Sequence, residues 1–217
     1  MTGLALFASK AAAAIENSNL YENLKKTYLA TVEALANAIE ARDSYTRGHT
    51  ERVYALSRAI AEELGWTADQ LGDLKIGALL HDIGKIGVPD SILNKPGPLT
   101  PKELEIMKRH PEAGARMVDS IPFLKPAIPY ILYHHERHDG SGYPLGLKGE
   151  NIPLQGRLLA VVDTMDAITS DRPYRKSRSL DVAMREIMSN SGSQFHPEVI
   201  EACHRAYLKG KLSFLFQ

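Results

Sequence analysis

Apolar positions recur with helical spacing along almost the whole chain. Tyr21, Leu24, Tyr28, Val32, Leu35 and Ile39 step by three, four, four, three and four, which draws a seam along one long helix. Such a seam either lies on its own core or pairs with a second copy, and its near-heptad spacing leans toward a parallel dimer. A second helix is predicted over about 50–64, with His49, Val53, Leu56 and Ile60 on one face and Gly65 as its stop. Thr67 predicts an N-cap for a helix reaching His81. Residues 84–98 are rich in Gly and Pro without helical period and read as a surface loop. Thr100-Pro101-Lys102-Glu103 joins a capping box to a proline at the first helical position, starting a helix through His110.

Pro122, Pro126 and Pro129 lead into a helix over 130–137, followed by a glycine-rich loop over 138–153. Three more helices are predicted, a buried one over 155–169 and two amphipathic ones over 180–189 and 197–208. No segment alternates with period two, so the fold class is all-α. The expected organisation is a helix or linker over 1–40 and a helical domain over 41–217.

Composition narrows the function more than the fold. At 217 residues the chain has room for one large domain, and 26 Lys+Arg against 26 Asp+Glu leave no net field to recruit DNA or an anionic membrane. Any bound anion must be held by local charge. Cys203 is the only cysteine, which excludes an intramolecular disulfide and a cysteine-rich zinc framework and fits a reducing cytoplasm. No apolar run approaches the roughly 18 residues a spanning helix needs, so no membrane insertion is expected.

The eight histidines stand out, five of them beside acids or at helix ends. His81-Asp82 closes the apolar stretch around Ile76, Leu79 and Leu80, His49 heads one helix, and His110 sits on another. His134 and His135 point about 100° apart on an ideal helix, so both reach one ion only near a helix end, which Arg137-His138-Asp139-Gly140 supplies. Asp163 interrupts the apolar run 158–162, where a carboxylate is costly unless it meets a cation or is satisfied by hydrogen bonds. Imidazole and carboxylate without thiolate suit iron, manganese, zinc or nickel.

These residues fall in an ordered set of motifs. His81-Asp82-Ile83-Gly84-Lys85, His134-His135-Glu136-Arg137-His138-Asp139-Gly140-Ser141-Gly142-Tyr143-Pro144, the run from Asp43 to His49, the loop from Val88 to Gly97 and the run from Asp163 to Arg175 together resemble the HD-GYP family, a branch of the HD phosphohydrolases. The resemblance covers about 35–208. It implies an HD-type helical bundle behind a long N-terminal signalling helix, hydrolysing cyclic di-GMP to pGpG and further to GMP with a hydroxide shared by two divalent metals, iron or manganese before zinc or nickel. One metal would take His49, His81, Asp82 and Asp163; the other would take Asp82, His110, His134 and His135. Lys85 would act with Asp82 in catalysis, and Lys85, Tyr143, Asp166, Arg172 and Arg175 would contact substrate. Tyr143 either stacks on a base or shapes its loop.

Two positions depart from the family pattern. Tyr45 stands where some members carry a glutamate for a third metal, so two metals are expected, and His196 replaces the usual acid before the last helix. The segment 11–21 is similar to the terminal helix of a GAF sensor domain, which makes the N-terminal helix a candidate remnant of a sensor and a homodimer seam. Three alternatives stay open: a hydrolase of another cyclic dinucleotide such as 3′,3′-cyclic GMP-AMP, di-iron oxygenase chemistry, or a non-catalytic module that holds a GGDEF-type cyclase.

Overall fold

The computed structural model describes residues 3–43, 48–171 and 176–213, and among them there are helices, short 3-10 turns and loops but no strands. The first helix, α1 (Gly3–Arg42), runs 40 residues without a break, about 60 Å at 1.5 Å per residue. The expected division at residue 40 therefore falls inside one element. The seam on α1 splits. Val32 and Ala36 are buried and Leu29 and Ile39 pack beside them, whereas Tyr21, Leu24 and Leu35 stay exposed. Full burial of a side chain such as Val32 contributes about 1.5–3 kcal/mol, so the last third of α1 is anchored while its first two thirds bury little.

Helix α2 (His49–Glu63) and α3 (Ala68–Leu80) follow, the latter started by a capping box in which Thr67 and Gln70 exchange side-chain and backbone bonds. The stretch predicted as a loop contains a 3-10 turn (Ile83–Gly87) and a single helical turn, α4 (Asp90–Leu93). Elements this short leave no periodicity to detect. The capping box at Thr100 starts α5 (Pro101–Met107), but the helix stops there and α6 (His110–Asp119) begins as a separate element. Pro111 explains the break, since it has no N–H to continue the α5 ladder and suits the first turn of a new helix.

A 3-10 turn (Pro122–Ala127) leads into α7 (Ile128–Tyr133), which ends four residues earlier than predicted. The chain closes with α8 (Leu154–Thr169), α9 (Leu180–Ser189) and α10 (Pro197–Leu208), all within one residue of the predicted limits. One apolar cluster joins α2, α8, α9 and α10 through Leu56, Ile60, Leu158, Leu159, Ile187 and Val199. A second joins α1 to α3, α6 and α7 through Val32, Leu80, Val118 and Ile131. The polar residues discussed next lie where these two clusters meet. No helix among the described residues is long and apolar enough to cross a membrane.

Candidate metal centre

Four helix ends deliver five histidines to one place, and the middle of a fifth helix adds an aspartate. His49 is the first residue of α2, His81 and Asp82 follow α3, His110 opens α6, His134 and His135 lie in the turn after α7, and Asp163 comes from α8. Two groups form, in each of which the ligand atoms lie within 4.8 Å of one another: His49, His81 and Asp163, and His110, His134 and His135. Asp82 stands between them. Its Oδ2 is 3.4 Å from His81 Nε2 and 4.0 Å from His49 Nε2, while its Oδ1 is 3.3 Å from His110 Nε2 and 3.9 Å from His134 Nε2. Each carboxylate oxygen thus faces one group, and the structure brings together all seven residues expected as ligands.

The rings are oriented by what their far nitrogens hold. Nδ1–H donates to the Ala78 carbonyl at 2.7 Å in His81, to Met107 at 2.8 Å in His110 and to Ile131 at 2.8 Å in His134. In His49 it donates to Asp166 Oδ2 at 2.7 Å. A carbonyl only accepts, so the hydrogen belongs on Nδ1, and a neutral ring presents Nε2 as a bare lone pair. Those lone pairs face each other: His49 Nε2 lies 3.2 Å from His81 Nε2, and His110 Nε2 lies 3.2 Å from His134 Nε2. Two acceptors at that distance repel unless a positive centre sits between them. The donor set therefore fits divalent cations.

The ionisation states of His134 and His135 agree. Burial pushes His134 well below the ordinary imidazole range, helped by the neighbouring His135, and burial together with His110 brings His135 down to about 3. Both stay neutral, the form that ligates. For His81 burial acts the same way, but Asp82 overrides it and raises the pKa, so a cation would take the place of a proton there. Asp82 itself is held well below the usual carboxylate range, against its burial, by Lys85 and His81. Lys85 Nζ sits 2.8 Å from Asp82 Oδ2 and 3.3 Å from Asp43 Oδ2. Burial opposes its charge, yet Asp82 and Asp43 raise its pKa, so it remains an ammonium.

A cavity of about 280 Å³ opens onto these atoms, lined among others by Asp82, Lys85, His135, Tyr143 and Asp163. The Tyr143 ring stacks on His135 with centroids 4.7 Å apart. Its backbone N–H donates to the His135 carbonyl at 3.2 Å. Gly142 lets the loop come this close, since a Cβ there would lie 2.6 Å from both Glu136 Cα and His135 O. Gly84 likewise lets the turn after Asp82 approach α6, where a Cβ would lie 2.6 Å from Gly114 N and closer still to the His110 carbonyl.

Asp166, expected as a substrate contact, lines the same cavity but is 2% exposed, with Oδ2 on His49 and Oδ1 on Arg52 Nε at 2.5 Å, so its carboxylate is engaged in holding a ligand ring. Asp163 and Asp166, three residues apart on α8, share a helix face, which was the available signal. Arg172 and Arg175, expected as substrate contacts, and Tyr45 lie outside the described residues. Glu136 was also missed: buried behind the histidine pair, it accepts the Leu145 and Leu147 N–H groups at 2.7 and 3.0 Å and ties the loop down. His196 does cap α10, its Nδ1 accepting the Glu198 N–H at 3.3 Å, and its Nε2 meets Glu150 at 2.6 Å.

Comparison with known proteins points the same way. The HD domain profile matches residues 33–199. A cyclic di-GMP phosphodiesterase of Thermotoga maritima is 50% identical over 79% of this chain and 47% of its own length. The cyclic di-GMP phosphodiesterase response regulator RpfG of Xanthomonas campestris is 42% identical over 81% of this chain and 47% of its own. The chain thus spans about half the length of these curated relatives. In fold it is similar to a crystal structure of a cyclic GMP-AMP specific phosphodiesterase of V. cholerae, with a TM-score of 0.67 at 21% identity, covering 86% of this chain and 51% of that one.

Proposed function

The chain belongs to the HD domain family, in its HD-GYP branch, and from that premise we propose that it hydrolyses cyclic di-GMP at a centre of two divalent metal ions. The observation that carries this reading is Asp82, one carboxylate oxygen turned to each of two histidine groups whose lone pairs converge. His49, His81 and Asp163 would hold one ion, His110, His134 and His135 the other, with Asp82 shared. The nitrogen and oxygen donor set suits iron, manganese, zinc or nickel, and iron or manganese is preferred on the family resemblance alone. Bound there, the ions would supply a nucleophile at neutral pH and positive charge beside a phosphodiester.

The remaining steps belong to the chain. Lys85, charged and beside Asp82, is placed to take a non-bridging phosphate oxygen, giving up its pairing with Asp43 to do so. Tyr143, packed on His135, walls the cavity and buttresses that ring. Burial pushes the Tyr143 hydroxyl up, so it stays protonated and acts by shape and by hydrogen bonding. Asp166 and Arg52 hold His49 in its ligating tautomer.

The test is turnover of cyclic di-GMP by anaerobically purified, metal-reconstituted protein, read by nucleotide chromatography. Wild type is expected to release pGpG, with Asp82→Ala slower by at least ~100-fold. Equal rates in the two proteins would overturn the reading. The same assay run with 3′,3′-cyclic GMP-AMP separates the second substrate class, for which the similar V. cholerae enzyme is named.

We also propose a homodimer through α1. Its support is the row Tyr21, Leu24 and Leu35, exposed on the anchored helix, beside a groove of about 660 Å³ lined by Leu24, Tyr28, Tyr54 and Phe123.

A further inference from the structure

The last turn of α1 carries charged side chains that touch no ligand atom, yet each grips a different part of the frame that holds the ligands. Glu40 receives the N-terminus of α2: its Oε2 accepts the Gly48 N–H at 3.0 Å, and its Oε1 accepts the Thr50 N–H at 2.6 Å and the Thr50 hydroxyl. These residues flank His49 on both sides, and α2 has no side-chain cap from its own N-cap residue. The first N–H groups of any helix lack intrahelical acceptors, and here another helix supplies them with a carboxylate suited to the positive helix end.

Two residues on, Arg42 does the converse for the turn that follows Asp82. Its Nη1 donates to the Ile86 carbonyl at 2.8 Å and the Lys85 carbonyl at 3.2 Å, its Nη2 donates to the Val88 carbonyl at 2.5 Å, and its Nε donates to Asp90 at 2.8 Å. The main chain of Arg42 is held in return, its carbonyl accepting from Asn94 Nδ2 at 3.0 Å. A planar guanidinium serves three carbonyls and a carboxylate at once, which an ammonium cannot do.

We infer that Glu40 and Arg42 are positioning residues for the metal centre, the end of α1 fixing His49 of one ligand group relative to Asp82, the residue both groups share. The inference rests on the two-metal reading above. It assigns α1 a part in building the site, since a shift of α1 along its axis moves the His49 end and the Asp82 turn together or pulls them apart. Partners that orient a ligand from behind typically change metal affinity or activity by about 10- to 100-fold when removed.

Co²⁺ titration of the full chain, followed by visible absorption and by bound metal per chain, tests this without turnover, and kcat and KM on cyclic di-GMP complete it. Wild type is expected to bind two Co²⁺. Arg42→Ala and Glu40→Gln should keep the metal-free helical signal, weaken Co²⁺ binding about 10- to 100-fold with an altered band shape, and lower kcat with KM little changed. Arg42→Lys keeps charge and length, decides the question if the alanine variant does not fold, and should resemble it more than wild type. Variants matching wild type in affinity, spectrum and kcat would overturn the positioning role alone. A wild-type chain that binds no Co²⁺ would overturn the metal-centre reading and this inference with it.

Discussion

Two pairs of ring nitrogens 3.2 Å apart, His49 with His81 and His110 with His134, are the smallest facts from which the chemistry follows. Each ring is pinned from behind, three by carbonyls and His49 by Asp166. Asp166→Asn keeps the shape but lets the side chain offer an N–H to His49 Nδ1, which favours the wrong tautomer. Metal affinity and kcat should fall about 10- to 100-fold while the fold is kept, and an unchanged metal titration would refute the assignment. Tyr143 separates shape from chemistry. Tyr143→Phe retains the stack on His135 and should cost less than about threefold in kcat/KM, whereas Tyr143→Ala removes the wall and should cost at least ~10-fold. Lys85 stays charged because Asp82 and Asp43 outweigh its burial, so its charge is present at every pH below its raised pKa. Lys85→Gln should lower kcat/KM about 10- to 100-fold without altering the profile between roughly pH 6 and 9, and a change of profile shape would show that Lys85 titrates in the reaction.

Among elements, what could be read in advance depended on length. α8, α9 and α10 are 16, 10 and 12 residues long, enough to repeat their apolar spacing, and their limits were legible to within a residue. The 3-10 turn Ile83–Gly87 and α4 are too short to show a period, and the break before His110 depended on Pro111, which also fits the first turn of a helix. Asp82 and the histidines were legible because their pairing recurs in a known order. Glu40 and Arg42 were not, since on a helix they read as ordinary solvated charge, and only the fold shows the helix end and the 3-10 turn they meet. Close contacts between elements are equally silent in sequence. Gly142→Ala forces the Tyr143 loop away from the His135 turn, since its Cβ meets backbone atoms at 2.6 Å. It should destabilise the protein by about 1–3 kcal/mol and weaken the second metal selectively, as followed by thermal melting with and without metal; a melting temperature equal to wild type would show that the loop yields freely.

At the scale of the molecule, one apolar cluster holds α2, α8, α9 and α10, and another holds α1, α3, α6 and α7. Leu74 and Ala78 of α3 and Tyr130 of α7 belong to the first cluster as well, so the two share elements, and cations held by residues of α2, α6 and α8 and of the turns after α3 and α7 would tie those elements together. The metal-loaded protein should therefore melt well above the chelated one, by RT ln(1 + [L]/Kd) for each ion, or about 2.7 kcal/mol at a hundredfold excess over Kd. The exposed row on α1 belongs to the same scale: Leu24→Glu combined with Leu35→Glu should convert a dimer to a monomer in sedimentation without affecting metal content. Most direct is anomalous scattering from crystals of manganese-loaded protein. Two peaks roughly 3.5–4 Å apart are predicted, one among His49, His81 and Asp163, the other among His110, His134 and His135, with an Asp82 oxygen on each. A single peak, or ions bound away from Asp82, would contradict the account.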